Sequence, residues 1–174
     1  NEGEPNGLCY SWYESGVKAG EILFIEKGLY LSGKSFLPNG QLCPKTNLQN
    51  SNGSFVKWHI DGEKESYFEI KNGKKSGESH QWYKNGNKRS VSLWEEGLML
   101  TSTVWKPNGE ICKDSKIVDG NGTLLIFDDQ NNEVGISIYE SGKQVPAWKR
   151  ISQMLKSKWK NFANLLPQVA SRKN

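Results

Sequence analysis

The sequence has little of what catalysts and large hydrophobic cores are made from. Its 174 residues include two histidines and three cysteines. Leu, Ile, Val and Phe together number 39, or 22% of the chain, and chains below about 20% usually stay disordered. The length fits about one domain, at the usual size of roughly 150 residues. These shortages argue against a deep globular core and against a pair of enzyme lobes.

Catalytic and metal-binding patterns are missing as well. Cys9, Cys43 and Cys112 form no C-x-x-C pair, so the sequence indicates neither a disulfide framework nor a zinc site. His59 and His80 occupy different positions relative to their neighbouring tryptophans, and the carboxylates are scattered singly. Nucleophilic and acid–base catalysis need such groups to be paired. We therefore expect a protein that is not an enzyme and that uses no cofactor and no metal.

Long hydrophobic runs are also absent. No apolar run approaches the roughly 18 residues that a membrane-spanning helix requires, and no apolar leader stands at the start. The chain begins at Asn1 rather than Met, as expected if processing or trimming has removed a segment. We expect a soluble mature chain that is either cytoplasmic or exported after signal removal.

What the sequence does contain is a repeat of about 23 residues. An aromatic residue recurs at this period, and four residues after each aromatic stands a turn residue, which is glycine in five cases of six. Several of these turn glycines follow Asn or Asp directly, and Asn-Gly and Asp-Gly are the strongest short hairpin signals. The aromatic residues are Trp12, Phe36, Trp58, Trp82, Trp105 and Phe127, and the turn residues are Gly16, Gly40, Gly62, Gly86, Gly109 and Asn131.

A second turn series is interleaved half a period later. Its members are Gly28, the region of Ser51, Gly73, Gly97, Gly120 and Gly142. Three residues before each of them stands an apolar or aromatic residue: Ile25, Leu48, Ile70, Trp94, Ile117 or Tyr139. Two turns and two short runs per period describe a β-hairpin. The sequence therefore predicts a mostly β protein, an elongated antiparallel β-meander of about six 23-residue hairpin repeats with one C-terminal α-helix.

One segment matches a nucleotide-binding pattern by its letters. Residues 28–35 fit G-x4-G-K-[ST]. That loop binds phosphate only where it follows a buried strand and opens a helix. Residues 29–31 instead favour a strand, and Pro38-Asn39-Gly40 predicts a turn soon afterwards. We therefore expect a strand here and no nucleotide site.

The repeat resembles the MORN-repeat family, in its bacterial variant built on N-G-K-x-x-G and W-Y-x-N-G elements. The best match runs from Tyr67 to Gly86, and the resemblance covers about residues 3–143. The repeat near residues 46–53 lacks its turn glycine, and the last has Phe127 and Asn131 in place of Trp and Gly. The resemblance implies a hairpin architecture and no catalytic motif. It also implies antitoxin or immunity-like, scaffold or membrane-associated roles, which differ among variant members.

The aromatic row has two interpretations. Hairpins of a repeat cannot bury an aromatic face alone, so stacked neighbours would make the row the core of a curved sheet. This interpretation is favoured, and a partly exposed binding groove is the alternative. The candidate partner-binding residues are Trp12, Trp58, Trp82, Trp105 and Tyr83.

The C-terminal segment has a different composition and period. Residues 145–174 carry seven Lys and Arg and no acidic residue, which leaves 16 basic and 19 acidic side chains in residues 1–144. Apolar residues recur every three or four positions, which predicts an amphipathic helix over about 147–166. We therefore predict two domains, a repeat domain over 1–144 and a helix and tail over 145–174. The candidate contact residues are Trp148, Lys149, Arg150, Lys156, Trp159 and Lys160.

The function expected from these features is binding without catalysis. The helix is interpreted as a cap on the sheet, with a membrane surface and a partner groove as its alternatives. A non-catalytic scaffold that binds a protein partner, in an antitoxin or immunity-like role, accounts best for the repeats. The alternative is a membrane-surface adaptor that uses the basic helix. Nucleic acid is not expected, because basic residues and stacking aromatics do not share one face, and no small-molecule substrate is evident.

Overall fold

The structure is a computed structural model that describes residues 4–149. It separates two units, Asn1–Lys143 and Gln144–Asn174. The first unit contains the repeats.

The described chain contains twelve strands, and a 3-10 helix, Glu26–Gly28, lies between the second and the third. They are β1 (Gly7–Trp12), β2 (Lys18–Ile25), β3 (Leu29–Ser35), β4 (Gly53–Trp58), β5 (Lys64–Lys71), β6 (Lys74–Trp82), β7 (Lys88–Glu95), β8 (Leu98–Trp105), β9 (Ile111–Val118), β10 (Asn121–Phe127), β11 (Glu133–Glu140) and β12 (Lys143–Gln144). The residues that match the nucleotide-binding pattern form β3, as expected.

The strands form two antiparallel sheets. One has three strands in the order β1-β2-β3, and the other has nine in the order β12-β11-β10-β9-β8-β7-β6-β5-β4. Within each sheet, every strand therefore pairs with its neighbour in sequence, which is the topology of a meander. The predicted fold class, a mostly β antiparallel hairpin meander, is confirmed.

Two kinds of turn alternate along the meander. After each aromatic of the first series, a three-residue loop closes with the same pair of hydrogen bonds. In the loop after Trp82, Tyr83 N donates to Asn87 O and Gly86 N to Tyr83 O, both at 2.9 Å, and Gly86 has φ 80°. This geometry is a type I turn followed by a left-handed residue in a bulge. At Asn131, with φ 69°, asparagine takes the place of glycine.

The second series consists of two-residue turns except at its first member, where Glu26–Gly28 forms a three-residue loop. Both central residues have positive φ, for example Asn72 at 52° and Gly73 at 76°, as type I′ turns require. Ser51, with φ 63°, adopts the glycine conformation in the repeat that lacks the glycine. These turns also bond to one another, since Gly73 N donates to Ser51 O and Gly142 N donates to Gly120 O, each at 2.8 Å.

The second repeat departs from regular hairpin structure. Where a strand is expected before Ser51, residues 43–48 are irregular, and they include Pro44, which has no N–H for a ladder. Side chains replace part of the missing ladder, because Thr46 Oγ1 accepts from Val56 N at 3.1 Å and Asn47 Oδ1 accepts from Ser54 N at 2.7 Å. This segment divides the meander into two sheets.

The register of the nine-stranded sheet defines two faces. On the inner face, one row of paired residues consists of Phe55, Phe68, Ser79, Ser92, Ser102, Ile117, Gly122 and Tyr139. On the outer face, the adjacent row consists of Val56, Tyr67, His80, Val91, Thr103, Lys116, Thr123 and Ile138. Residues of β6 and β11 line one cavity on the inner face, so the sheet curls towards that face.

Two clusters of buried residues form the core of the repeat unit. One contains Leu48, Phe55, Phe68 and Ile70, and the other contains Tyr83, Val104, Cys112 and Phe127. Of the first aromatic series, Phe127 is buried, Phe36 and three tryptophans are half-buried, and Trp12 is exposed. The favoured interpretation of this row as the core is therefore wrong for most of its members. In the second series, Leu48, Ile70 and Ile117 are buried.

Residues 147–149 are helical, at the predicted start of the C-terminal helix. The rest of that predicted helix lies outside the described residues.

Candidate functional site

Three of the predicted tryptophans lie on the outer face of the nine-stranded sheet. Trp58 and Trp82 each stand at a register shift at the end of a strand, and Trp105 ends β8. Register shifts of this kind re-aim a side chain relative to the ladder. All three indole rings are half-buried, so each offers part of its surface to solvent.

Lysines alternate with these tryptophans. Lys64 pairs across the hairpin with Trp58, and its Nζ lies 5.7 Å from the ring centroid of Trp82 in the next repeat. Lys88 pairs in the same way with Trp82, and its Nζ lies 5.9 Å from the ring of Trp105. We call Trp58, Lys64, Trp82, Lys88 and Trp105 the Trp–Lys row. Each ammonium attracts the π-face of the next ring, so the row is held in a repeating order.

A cavity of about 310 Å³ opens on this row. His80 stacks on Trp82 with 5.7 Å between ring centroids, and its Nε2 lies 2.8 Å from Glu78 Oε2. The Tyr67 hydroxyl donates to Glu69 Oε1 at 2.8 Å. The walls are Lys45, Val56, Lys64, Tyr67, His80 and Trp82. The cavity therefore combines aromatic surface, two ammonium groups and a histidine.

Tyr67 is the most strongly perturbed titratable group on the outer face. Burial and the hydrogen bond to the Glu69 carboxylate raise the pKa of Tyr67 to about 12. Both effects disfavour the phenolate. The hydroxyl stays protonated at neutral pH and acts as a hydrogen-bond donor.

Tyr83 belongs to the core. Its side chain is 2% exposed, and its hydroxyl donates to the Trp105 carbonyl at 2.8 Å. Tyr13 makes the equivalent bond to the Phe36 carbonyl at 2.7 Å. His59 occupies the same repeat position, and its Nε2 lies 3.1 Å from the carbonyl of Trp82. The residue after the aromatic thus joins one repeat to the next, which explains the Trp-Tyr pair of the motif.

Trp12 lies in the three-stranded sheet rather than in the Trp–Lys row. It is 61% exposed, and its ring centroid is 6.4 Å from that of Tyr10. Lys18 lies 5.1 Å from the Tyr10 ring and 5.4 Å from the Phe36 ring. The alternation of aromatic and lysine therefore also occurs in the first sheet.

The predicted contact residues of the C-terminal segment are described in part. Trp148 is 71% exposed and Lys149 is half-buried. Arg150, Lys156, Trp159 and Lys160 lie outside the described residues.

The residues predicted from the sequence include the tryptophans of the Trp–Lys row but not its lysines. Lys18, Lys64 and Lys88 each stand six residues after an aromatic of the first series, so the period itself contained the signal. His80 and Tyr67 are adjacent to the row through pairing between strands. Only the register brings those two together.

His80 is oriented by Glu78, yet across residues 4–149 no hydroxyl or thiol is hydrogen-bonded to His80. Nor does any group of three His, Cys, Asp or Glu side chains in this range have the arrangement of a metal site. Within the same range, no helix has the length and apolar character needed to cross a membrane.

Comparison with family models, with curated proteins and with solved structures gives no match to this chain.

Proposed function

We propose that the repeat unit is a non-catalytic module that binds a protein partner through the Trp–Lys row. The observation that carries the proposal is the alternation of half-buried indole rings and ammonium groups along the outer face. Ile111 pairs with Trp105 and is 57% exposed, so apolar surface continues beside the row.

The physical basis is the composition of binding hot spots. Tryptophan is enriched among the few interface residues that contribute most of the binding free energy, because burying one ring removes a large apolar area from water. Lys64 and Lys88 form no ion pair with a carboxylate in the described part of the chain. The partner therefore presents carboxylates beside an apolar patch, and its affinity falls as salt rises.

The family resemblance suggests the biological role. We propose that the chain is a bacterial MORN-variant protein whose partner is a toxin that it neutralises, in the manner of an antitoxin or immunity protein. The alternative remains a membrane-surface adaptor that uses the basic C-terminal segment.

The test is site-specific photo-crosslinking in the native cell. A photoreactive amino acid at Ile111 should join the protein to one partner in a one-to-one adduct. The same amino acid at Glu14, an exposed turn position, serves as the control and should give no such adduct. Trp82→Ala and Trp105→Ala should each remove the adduct while the protein stays folded by circular dichroism.

Three results would overturn the proposal: no adduct from Ile111, an equal adduct from Glu14, or an adduct that persists in both tryptophan variants. Binding of the full chain to anionic vesicles, combined with no protein adduct, would favour the adaptor.

A further inference from the structure

The inner face of the nine-stranded sheet contains a polar groove that shares Trp82 with the Trp–Lys row. Two adjoining cavities of about 350 and 240 Å³ lie on this face. Lys75, Ser79, Gln81 and Arg89 line both of them. We call this pair of cavities the inner groove. Its size falls in the range of small-molecule sites.

Lys75 lines both cavities of the inner groove. Its Nζ lies 5.2 Å from the ring centroid of Phe68 and 4.9 Å from that of Trp94. No carboxylate within residues 4–149 forms an ion pair with it. Burial lowers the pKa of the Lys75 ammonium, and the positive charge of Lys57 lowers it further. A largely buried cation with no countercharge is unusual, since such groups are normally paired.

Two more cations line the first cavity. Lys57 is half-exposed and lies 4.0 Å from Glu65 Oε1, at the outer limit of an ion pair. The Arg89 guanidinium donates to the Phe127 carbonyl at 3.2 Å and lies 5.5 Å from the Tyr83 ring. Three cations and one carboxylate therefore surround this space, which gives it a net positive charge.

The rest of the lining is neutral and mixed in character. Ser66, Ser79 and Gln81 supply hydroxyl and amide groups, while Tyr30 and Phe68 supply ring surface. The main-chain amides of these strands take part in the antiparallel ladders, so side chains provide most donors. Phosphate sites typically depend on free main-chain N–H groups at loops and helix N-termini. A ligand with a carbon skeleton and several carboxylates suits this lining better.

We propose that the inner groove binds a small organic polycarboxylate, with Lys75 as its central contact and Lys57 and Arg89 beside it. A bound carboxylate supplies the missing countercharge of Lys75 and relieves the repulsion between Lys75 and Lys57. The ring faces of Phe68 and Tyr30 contact the carbon skeleton. Trp82 of the Trp–Lys row also lines the first cavity, so the inner groove and the row meet at this residue.

Citrate is the probe, measured by isothermal titration calorimetry on the full chain at low ionic strength. Wild-type protein should bind one citrate per chain. Lys75→Met keeps the aliphatic stem between Phe68 and Trp94 and removes the charge, and it should weaken binding at least about tenfold. Lys75→Arg should restore most of the affinity.

Lys74→Met is the matched control. Lys74 is adjacent in sequence, carries the same charge and forms an ion pair with Glu96 at 3.2 Å. Its loss should change citrate affinity by less than about twofold, because it does not line the groove. Lys57→Met is a second test at a half-exposed position, where folding is not at risk, and it should weaken binding about threefold to tenfold.

The results that would overturn the proposal are distinct. Wild-type protein that gives no binding heat with citrate has no such site. Equal losses of citrate affinity in Lys74→Met and Lys75→Met would show that binding depends only on the net charge of the protein. Inorganic phosphate that competes as strongly as citrate would show an unselective anion site. Crosslinking through Ile111 that succeeds while citrate binding fails would remove this inference alone and leave the proposed function intact.

Discussion

The inner and outer faces of the nine-stranded sheet arise from the same strands and differ in burial. The inner face contains buried residues, such as Phe55, Ile117 and Ser102, and also the polar inner groove. On the outer face, half-buried tryptophans alternate with exposed lysines along the Trp–Lys row. Adjacent residues in one strand thus differ in their contribution to stability. Pairs of neighbours therefore offer the sharpest tests of this difference.

The largest difference in the free energy of unfolding is expected between Tyr83→Ala and Trp82→Ala. Tyr83→Ala should lower the free energy of unfolding by about 3–5 kcal/mol, because it empties a fully buried site. Trp82→Ala should cost about half as much or less, since part of that ring already faces solvent. Urea denaturation followed by circular dichroism measures both.

Tyr83→Phe is the graded control for that pair. It keeps the ring and removes the hydrogen bond to the Trp105 carbonyl, which should cost about 1 kcal/mol. If Trp82→Ala proves as destabilising as Tyr83→Ala, the assignment of stability to the inner face fails.

A smaller effect is expected at Ser102 and Thr101. Ser102 is buried and its hydroxyl lies 2.9 Å from that of Ser92, so Ser102→Ala should cost about 1–2 kcal/mol by leaving a buried hydroxyl unpaired. Thr101 is exposed on the other face, and Thr101→Ala should change stability by about 0.5 kcal/mol. Thermal melts of the two variants in parallel make the comparison.

A double variant tests the hydrogen bond between Ser92 and Ser102 itself. Ser92→Ala with Ser102→Ala removes both hydroxyls together and should recover part of the loss. A simple sum of the two single losses would contradict the importance of this hydrogen bond.

The smallest effect concerns alkaline pH and Tyr67. Its pKa is raised from 10.0 to about 12 in the folded protein, so folding favours the protonated phenol. The stability that this gives is fully present below pH 10 and is lost as the pH rises through about 12. Tyr67→Phe should therefore lose stability less steeply than wild type in this window. Chemical denaturation at several alkaline pH values provides the measurement, and identical slopes would argue against the raised pKa.

The repeat and the antiparallel order of the strands followed from the sequence, whereas the strand expected before Ser51 is absent from the structure. Glycine and asparagine at fixed positions require positive φ, so the two turn series mark both ends of every hairpin. The break in the second repeat was visible only as a missing glycine near Ser51. That the segment would be held by the Thr46 and Asn47 side chains could not be predicted, because those bonds join residues through the fold.

The candidate site was predictable only in part. The 23-residue repeat predicts the positions of Trp58, Trp82 and Trp105. The same repeat places a lysine six residues after several of its aromatics, but the lysines are not among the predicted site residues. The inner groove gave no local signal. Lys75 lies beside Phe68 and Trp94 through pairing between three strands, and no spacing along the chain encodes that contact.

The sequence by itself determined the hairpins, since turn chemistry and alternation are local properties. It contained two hydrophobic rows of equal regularity, and local properties do not distinguish them. Only the tertiary structure decided that Leu48, Ile70 and Ile117 of the second series are buried while Trp58, Trp82 and Trp105 are half-buried on the outer face. The physical reason is the curl of the sheet, which encloses one face and leaves the other open to solvent.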